Sequence, residues 1–188
     1  FMRLVLAAGK QHGIACLREI LRQGHEVSAL FGLREHVHEN VQSAESLRRL
    51  AVDNGVPYYD ESRLHDKETA GLLRSIAPDF MLVVQWRRMI PESVYTLPKH
   101  GTAILHDSLL PKYRGFAPLN WAVINGETET GATMFYVRND VDSGPIIAQQ
   151  RLSIQPDVTA ADIDEKIVDL YATILQDSLS KIAEGRVE

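Results

Sequence analysis

The chain has 188 residues, 45% of them hydrophobic and 24% charged, with a formal net charge of -5. That length points to one domain, 1–188, with a sizeable core, and the acidic balance argues against a broad nucleic-acid surface, which is normally basic. No run approaches the roughly 20 apolar residues of a membrane span, and the single cysteine, Cys16, has no intrachain disulfide partner, which fits a reducing cytoplasm.

The opening "RLVLAA" (3–8) reads as a first buried strand and not as a signal peptide. A helix follows, with Ile14, Leu17, Ile20 and Leu21 at helical spacing and Gly24 as its stop. "EVSALF" (26–31) is the second strand, the polar stretch 32–43 a loop, and "AESLRRLAVDNG" a helix ending at Gly55. "PYY" is a short strand, and "KETAGLLRSIA" is a helix stopped by Pro78. "DFMLVVQW" (79–86) is nearly continuously apolar, as a central parallel strand covered on both faces should be. "GTAILH" (101–106) is a further strand and "APLNWAVING" (117–126) a short helix. "TGATMFYV" (130–137) and "PIIAQQRLSI" (145–154) read as a strand pair around an irregular connection. The last helix has Thr159 as N-cap, Asp162 near its positive end, and a stripe of Ile163, Ile167, Leu170, Tyr171, Ile174, Leu175 and Ile182 before Gly185.

Strand–helix alternation predicts an α/β fold: a Rossmann-like open, mostly parallel sheet with helices on both faces. Ligands of such sheets bind outside the carboxyl ends of the strands, near the switch in strand order. The loop after the first strand holds Gly9 and Gly13 but no G-x-G-x-x-G, and no Walker A sequence is present, so neither NAD nor ATP gains support. His106 ends a strand and opens "HDSLLPKYRG". One reading is a packed imidazole bonded to backbone; the other is a general base, because its titration lies near neutrality. Asp142, before Ser143 and Gly144, is the candidate orienting carboxylate, and Asp140 a solvated alternative. Spacing alone does not pair His106 with Asp142.

"HDSLLPKYRG", with "APLNWAVINGETETGATMF" and "VDSGPIIAQ", resembles the 10-formyltetrahydrofolate-dependent formyltransferases from about Thr102 to the chain end. The likeness is nearest to enzymes acting on amino sugars of nucleotide sugars, of the aminoarabinose type, with the methionyl-tRNA enzymes more distant. The resemblance implies transfer of a formyl group from 10-formyltetrahydrofolate, the donor substrate, to a primary amine of a small-molecule acceptor. It implies His106 as the catalytic histidine that assists amine attack and stabilises the tetrahedral intermediate, with Asp142 orienting and charging it. Trp86, Arg88, Met89 and Ile90 fall on the folate loop, and Asn139 and Asp140 on the segment closing its other side. Ser108, Arg114 and Phe116 fall on the substrate loop, shaped by Pro111 and Gly115, although Ser108 equally suits a purely structural turn.

Two positions depart from the family pattern. Ile104 stands where an asparagine, as N-x-H, helps to polarise the formyl carbonyl; losing such a donor costs about 10²–10³ in rate. Gln85, Asn139 or a water replaces it, or the enzyme is slow, or the fold has kept folate binding and lost catalysis. Hydrolysis of the formyl donor is a further alternative. Phe116 stands where the aminoarabinose enzymes have arginine, which leaves open an acceptor other than aminoarabinose. Larger family members continue into a second, smaller domain absent here, so the chain is expected to be a short form or a piece of a longer protein. The expected partners are a small-molecule amine, no nucleic acid and no membrane, with oligomerisation left open. No metal-ligand spacing is found; "REHVHEN", with His36 and His38, reads as exposed loop. Trp121 and Cys16 are expected in the core, and Tyr95 and Trp86 either there or lining the folate slot.

Overall fold

A computed structural model describes residues 1–34 and 43–187. The expected loop containing His36 and His38 therefore lies outside the described residues. Seven strands form one sheet: β1 (Arg3–Ala8), β2 (Glu26–Gly32), β3 (Tyr58–Asp60), β4 (Phe80–Val84), β5 (Thr102–His106), β6 (Glu129–Tyr136) and β7 (Ile146–Ser153). Their order is β3-β2-β1-β4-β5-β6-β7. The first five are parallel; β6 runs antiparallel to β5, and β7 antiparallel to β6. The order reverses between β1 and β4, which opens a crevice at their carboxyl ends.

Alternation along the strands makes two cores. Leu4, Leu6 and Ala8 of β1, Phe80, Leu82 and Val84 of β4, and Ala103 and Leu105 of β5 face one side. There they meet α1 (Lys10–Arg22), α2 (Ser43–Asp53) and α6 (Ala160–Ala183). Val5, Ala7, Met81 and Val83 face the other side, with α3 (Thr69–Ile76) and α4 (Glu92–Tyr95). The same period puts Ile104 and His106 on this second face and Asp107 on the first.

The stripe expected on α6 is buried, Leu170 partly so, and Thr159 and Asp162 form a reciprocal capping box. Glu19 ties α1 to α6: it accepts from Arg22 and Gln23 and, at 3.3 Å, from Gln176. Cys16 is buried, and burial raises its thiol pKa far above the ordinary value. Trp121 corrects an expectation. It is 52% exposed, because α5 (Pro118–Ile124) turns Pro118, Leu119 and Ala122 inward and not its tryptophan. A 3-10 turn, Glu61–His65, and the one-turn α4 were not anticipated. Among the described residues no helix is long and apolar enough to cross a membrane.

Candidate active site

The segment after β5 is fixed from below by a threonine. Thr133 of β6 is fully buried, donates to the Ser108 carbonyl at 2.6 Å and accepts from the Leu110 amide at 3.1 Å. Gln149 of β7 adds bonds to the Leu110 carbonyl and to Thr133 Oγ1. Ser108 is itself buried, and its hydroxyl donates to the Lys112 carbonyl at 2.7 Å. Ser108 thus holds the turn and does not line the cleft, which corrects its expected place as a substrate contact. The strand-to-loop junction is braced because every polar group named here has a hydrogen-bond partner.

The second loop, 137–145, joins β6 to β7. Val137 donates to the Thr102 carbonyl at the start of β5, yet Asp142 sits beside His106 at its end. The loop therefore doubles back across the sheet face that carries Ile104. Gly144 permits this. A Cβ there would lie 1.6 Å from the Tyr136 carbonyl oxygen, so the backbone approaches too closely for any side chain. Asp142 adopts a left-handed conformation, φ 47°, which aims its carboxylate inward.

The result is a cleft of about 970 Å³ over the carboxyl ends of β4 and β5, reaching Lys10 after β1. His106 and Asp142 both line it, and their side chains are only 11% and 13% exposed. His106 Nε2 lies 2.8 Å from the Tyr113 carbonyl, and a carbonyl only accepts, so Nε2 carries the hydrogen. In the neutral ring Nδ1 is then unprotonated. It faces Asp142 Oδ2 at 3.8 Å, a contact that becomes an ion pair only when Nδ1 gains a proton. The same Oδ2 accepts from the Gly115 amide at 2.7 Å, so Asp142 also fastens the 113–116 segment to the cleft. An imidazole that can take a proton beside a carboxylate that stabilises the charged ring is the equipment of a general base.

Trp86, Arg88, Met89 and Ile90, expected on the folate loop, and Asp140, expected on the segment closing its other side, line the cleft. Ile90 is buried, while Met89 and Val141 are 60% and 53% exposed and offer an apolar slot. Trp86 stacks on His65 with ring centroids 6.2 Å apart, and its Nε1 donates to His65 Nε2 at 3.3 Å. That bond needs a neutral His65, and burial, helped by Arg88, pushes the His65 pKa below its ordinary value. Asn139 does not line the cleft. Its side chain accepts from the Tyr95 hydroxyl, bracing the 138–142 loop against α4. Arg114 is exposed outside the lining, and Phe116, 82% exposed, stands within it.

Ile104 lines the cleft two residues from His106, on the same face. No amide is supplied from that position. Gln85, at φ 56° after β4, also lines the cleft, but its Nε2 donates to Asp107 Oδ2 at 2.7 Å. Asp107, Asp164, Lys10 and Arg138 are lining residues that sequence reasoning passed over. The strand period places Asp107 opposite to His106, which was the available signal for a second polar wall.

Residues 6–179 match the family described as formyl transferase. Methionyl-tRNA formyltransferase of Parabacteroides distasonis is 32% identical over 100% of this chain and 58% of its own length. That of Clostridioides difficile is 30% identical over 98% of this chain and 60% of its own length. The chain thus spans less than two thirds of these curated relatives. Among solved structures, the phosphoribosylglycinamide formyltransferase of Coxiella burnetii is 26% identical, with a TM-score of 0.77, covering 98% of this chain and 87% of that one. The three names carry two different acceptors, and none is an amino sugar.

Proposed function

We propose a reaction for this chain on the premise that it belongs to the formyl transferase family: transfer of a formyl group from 10-formyltetrahydrofolate to a primary amine. The observation that carries the proposal is the unprotonated Nδ1 of His106 held 3.8 Å from Asp142 within the cleft. The attacking amine must shed a proton and Nδ1 is placed to take it; as the new C–N bond replaces the bond from the formyl carbon to the donor nitrogen, that proton passes to the donor nitrogen and tetrahydrofolate leaves. Asp142 stabilises the imidazolium that results. The donor supplies an electrophilic formyl carbon. Its pterin would lie against Trp86, Met89, Ile90 and Val141, whose apolar surface fits a flat heterocycle. Arg88 and Asp140 stand at the edges of that slot for its polar groups.

For the acceptor we propose the amino sugar of a nucleotide sugar. Phe116 supports it, because its exposed ring in the cleft lining suits stacking on a sugar or base. The net charge of -5 weighs against a large polyanion such as tRNA, although two relatives carry methionyl-tRNA in their names. Ile104 favours a second reading, donor binding without transfer, since it contributes no hydrogen-bond donor beside His106.

The test is a panel of amines incubated with 10-formyltetrahydrofolate: a nucleotide-linked amino sugar, phosphoribosylglycinamide and methionyl-tRNA. Release of tetrahydrofolate that depends on the amino sugar supports the proposal, and release driven by either other amine overturns the acceptor assignment. Release with no amine present identifies a donor hydrolase. Donor binding by calorimetry with no release under any condition establishes the second reading.

A further inference from the structure

On the first face of the sheet, opposite to His106, three side chains from distant parts of the chain converge. His12 comes from the first turn of α1, Asp107 from the end of β5 and Asp164 from α6. One ligand atom from each lies within 4.8 Å of the others. His12 is 1% exposed, and neither of its ring nitrogens has a hydrogen-bond partner among the described residues. A buried imidazole without a hydrogen-bond partner is unfavourable, so such a group calls for an explanation.

We propose that His12, Asp107 and Asp164 bind a divalent transition-metal ion, of the Zn²⁺ or Mn²⁺ class. His12 Nε2 lies 3.2 Å from Asp164 Oδ1, close enough for a pair but not aligned as a hydrogen bond. Two ligand atoms about 3.2 Å apart, each about 2.1 Å from one ion, place the oxygen about 40° off the axis of the ring nitrogen. Off-axis contact is therefore what a shared ion produces and what a direct hydrogen bond avoids. One imidazole and two carboxylates form a mixed N/O donor set that suits these ions.

Asp107 is already held for the task. Its two oxygens accept from the Tyr171 hydroxyl and from Gln85 Nε2, and each keeps a further lone pair. These two bonds orient the carboxylate as outer partners of a metal ligand commonly do. Asp164, half-exposed near the start of α6, supplies the adjustment that closes the triangle around an ion. Asp107 and Asp164 both line the cleft, so the remaining coordination positions open into it. The proposal does not depend on the formyl-transfer reading, because its test is binding and not turnover.

The experiment uses chelator-treated protein titrated with MnCl₂, with free Mn²⁺ counted by electron paramagnetic resonance, and with ZnCl₂ followed by calorimetry. One ion per chain is expected, together with a rise in Tm on metal addition. Asp164→Asn, at a half-exposed position, should weaken binding by at least about tenfold, as should His12→Gln, while Glu165→Gln leaves it unchanged. Failure to retain either ion at millimolar concentration overturns the proposal, and so does an affinity that Asp164→Asn and His12→Gln leave unaltered. Should His12→Gln fail to fold, Asp164→Asn alone decides.

Discussion

Asp142→Asn isolates the charge of the carboxylate from its shape. The amide keeps an oxygen for the Gly115 amide now bonded at 2.7 Å, so the loop should stay in place. What disappears is the attraction between Asp142 and a protonated His106 across 3.8 Å. Two unit charges near this separation attract by about 1 kcal/mol in bulk water and about 4 kcal/mol at an effective dielectric of 20. With the side chains 11% and 13% exposed, the second figure is the nearer. At 1.36 kcal/mol per decade, the loss of rate lies between about fivefold and about a thousandfold, towards the upper end. The assay is single-turnover release of tetrahydrofolate, by transfer or by donor hydrolysis, with donor affinity measured in parallel. A rate within twofold of the unmodified chain refutes the charge role. A fall in rate matched by an equal fall in donor affinity assigns Asp142 to loop shape instead.

Ile104→Asn places an amide beside His106 and should raise the rate by up to about 10²–10³ if that donor is limiting; no rise with donor affinity intact shows that the missing amide does not limit turnover. Thr133→Val leaves the Leu110 amide and the Ser108 carbonyl without their buried partner. At about 1–3 kcal/mol for each of the two orphaned groups, destabilisation of about 2–6 kcal/mol is expected, seen as a Tm lowered by roughly 4–24 °C. Glu19 is held at a pKa of about 2 against an ordinary 4.5, chiefly by its hydrogen bonds to Arg22. Its contribution to stability is complete above pH 4.5 and is lost as pH falls from there through about 2. Glu19→Gln should therefore flatten the acid limb of a stability–pH curve measured by denaturant titration, and an unchanged limb would show that the Glu19 charge contributes nothing to stability.

Periodicity made the frame legible. The stripe of α6, with Thr159 as its cap, and the continuous apolar run of β4 each state their own environment. The one-turn α4 and the 3-10 turn at 61–65 are too short to show a period. In the site, His106 could be singled out because a strand ends on it, but its partner could not be fixed by spacing. Asp142 reaches it only because Gly144 lets the loop pass against Tyr136 and fold back over β5. Ser108 misled for a related reason: once β5 ends, the chain turns, and alternation no longer tells inside from outside. Gln85, Asp107, His12 and Asp164 are brought together by a left-handed residue and by packing between α1 and α6, neither of which leaves a local pattern.

The hydroxyl of Tyr171 touches the Leu105 carbonyl at 3.0 Å and the carboxylate of Asp107, the neighbours of His106 on either side. The longest helix is thus geared to the strand that presents His106. A tilt or slide of α6 would be felt directly at Leu105 and Asp107, so forces applied along that helix become a means of detuning the imidazole from a distance.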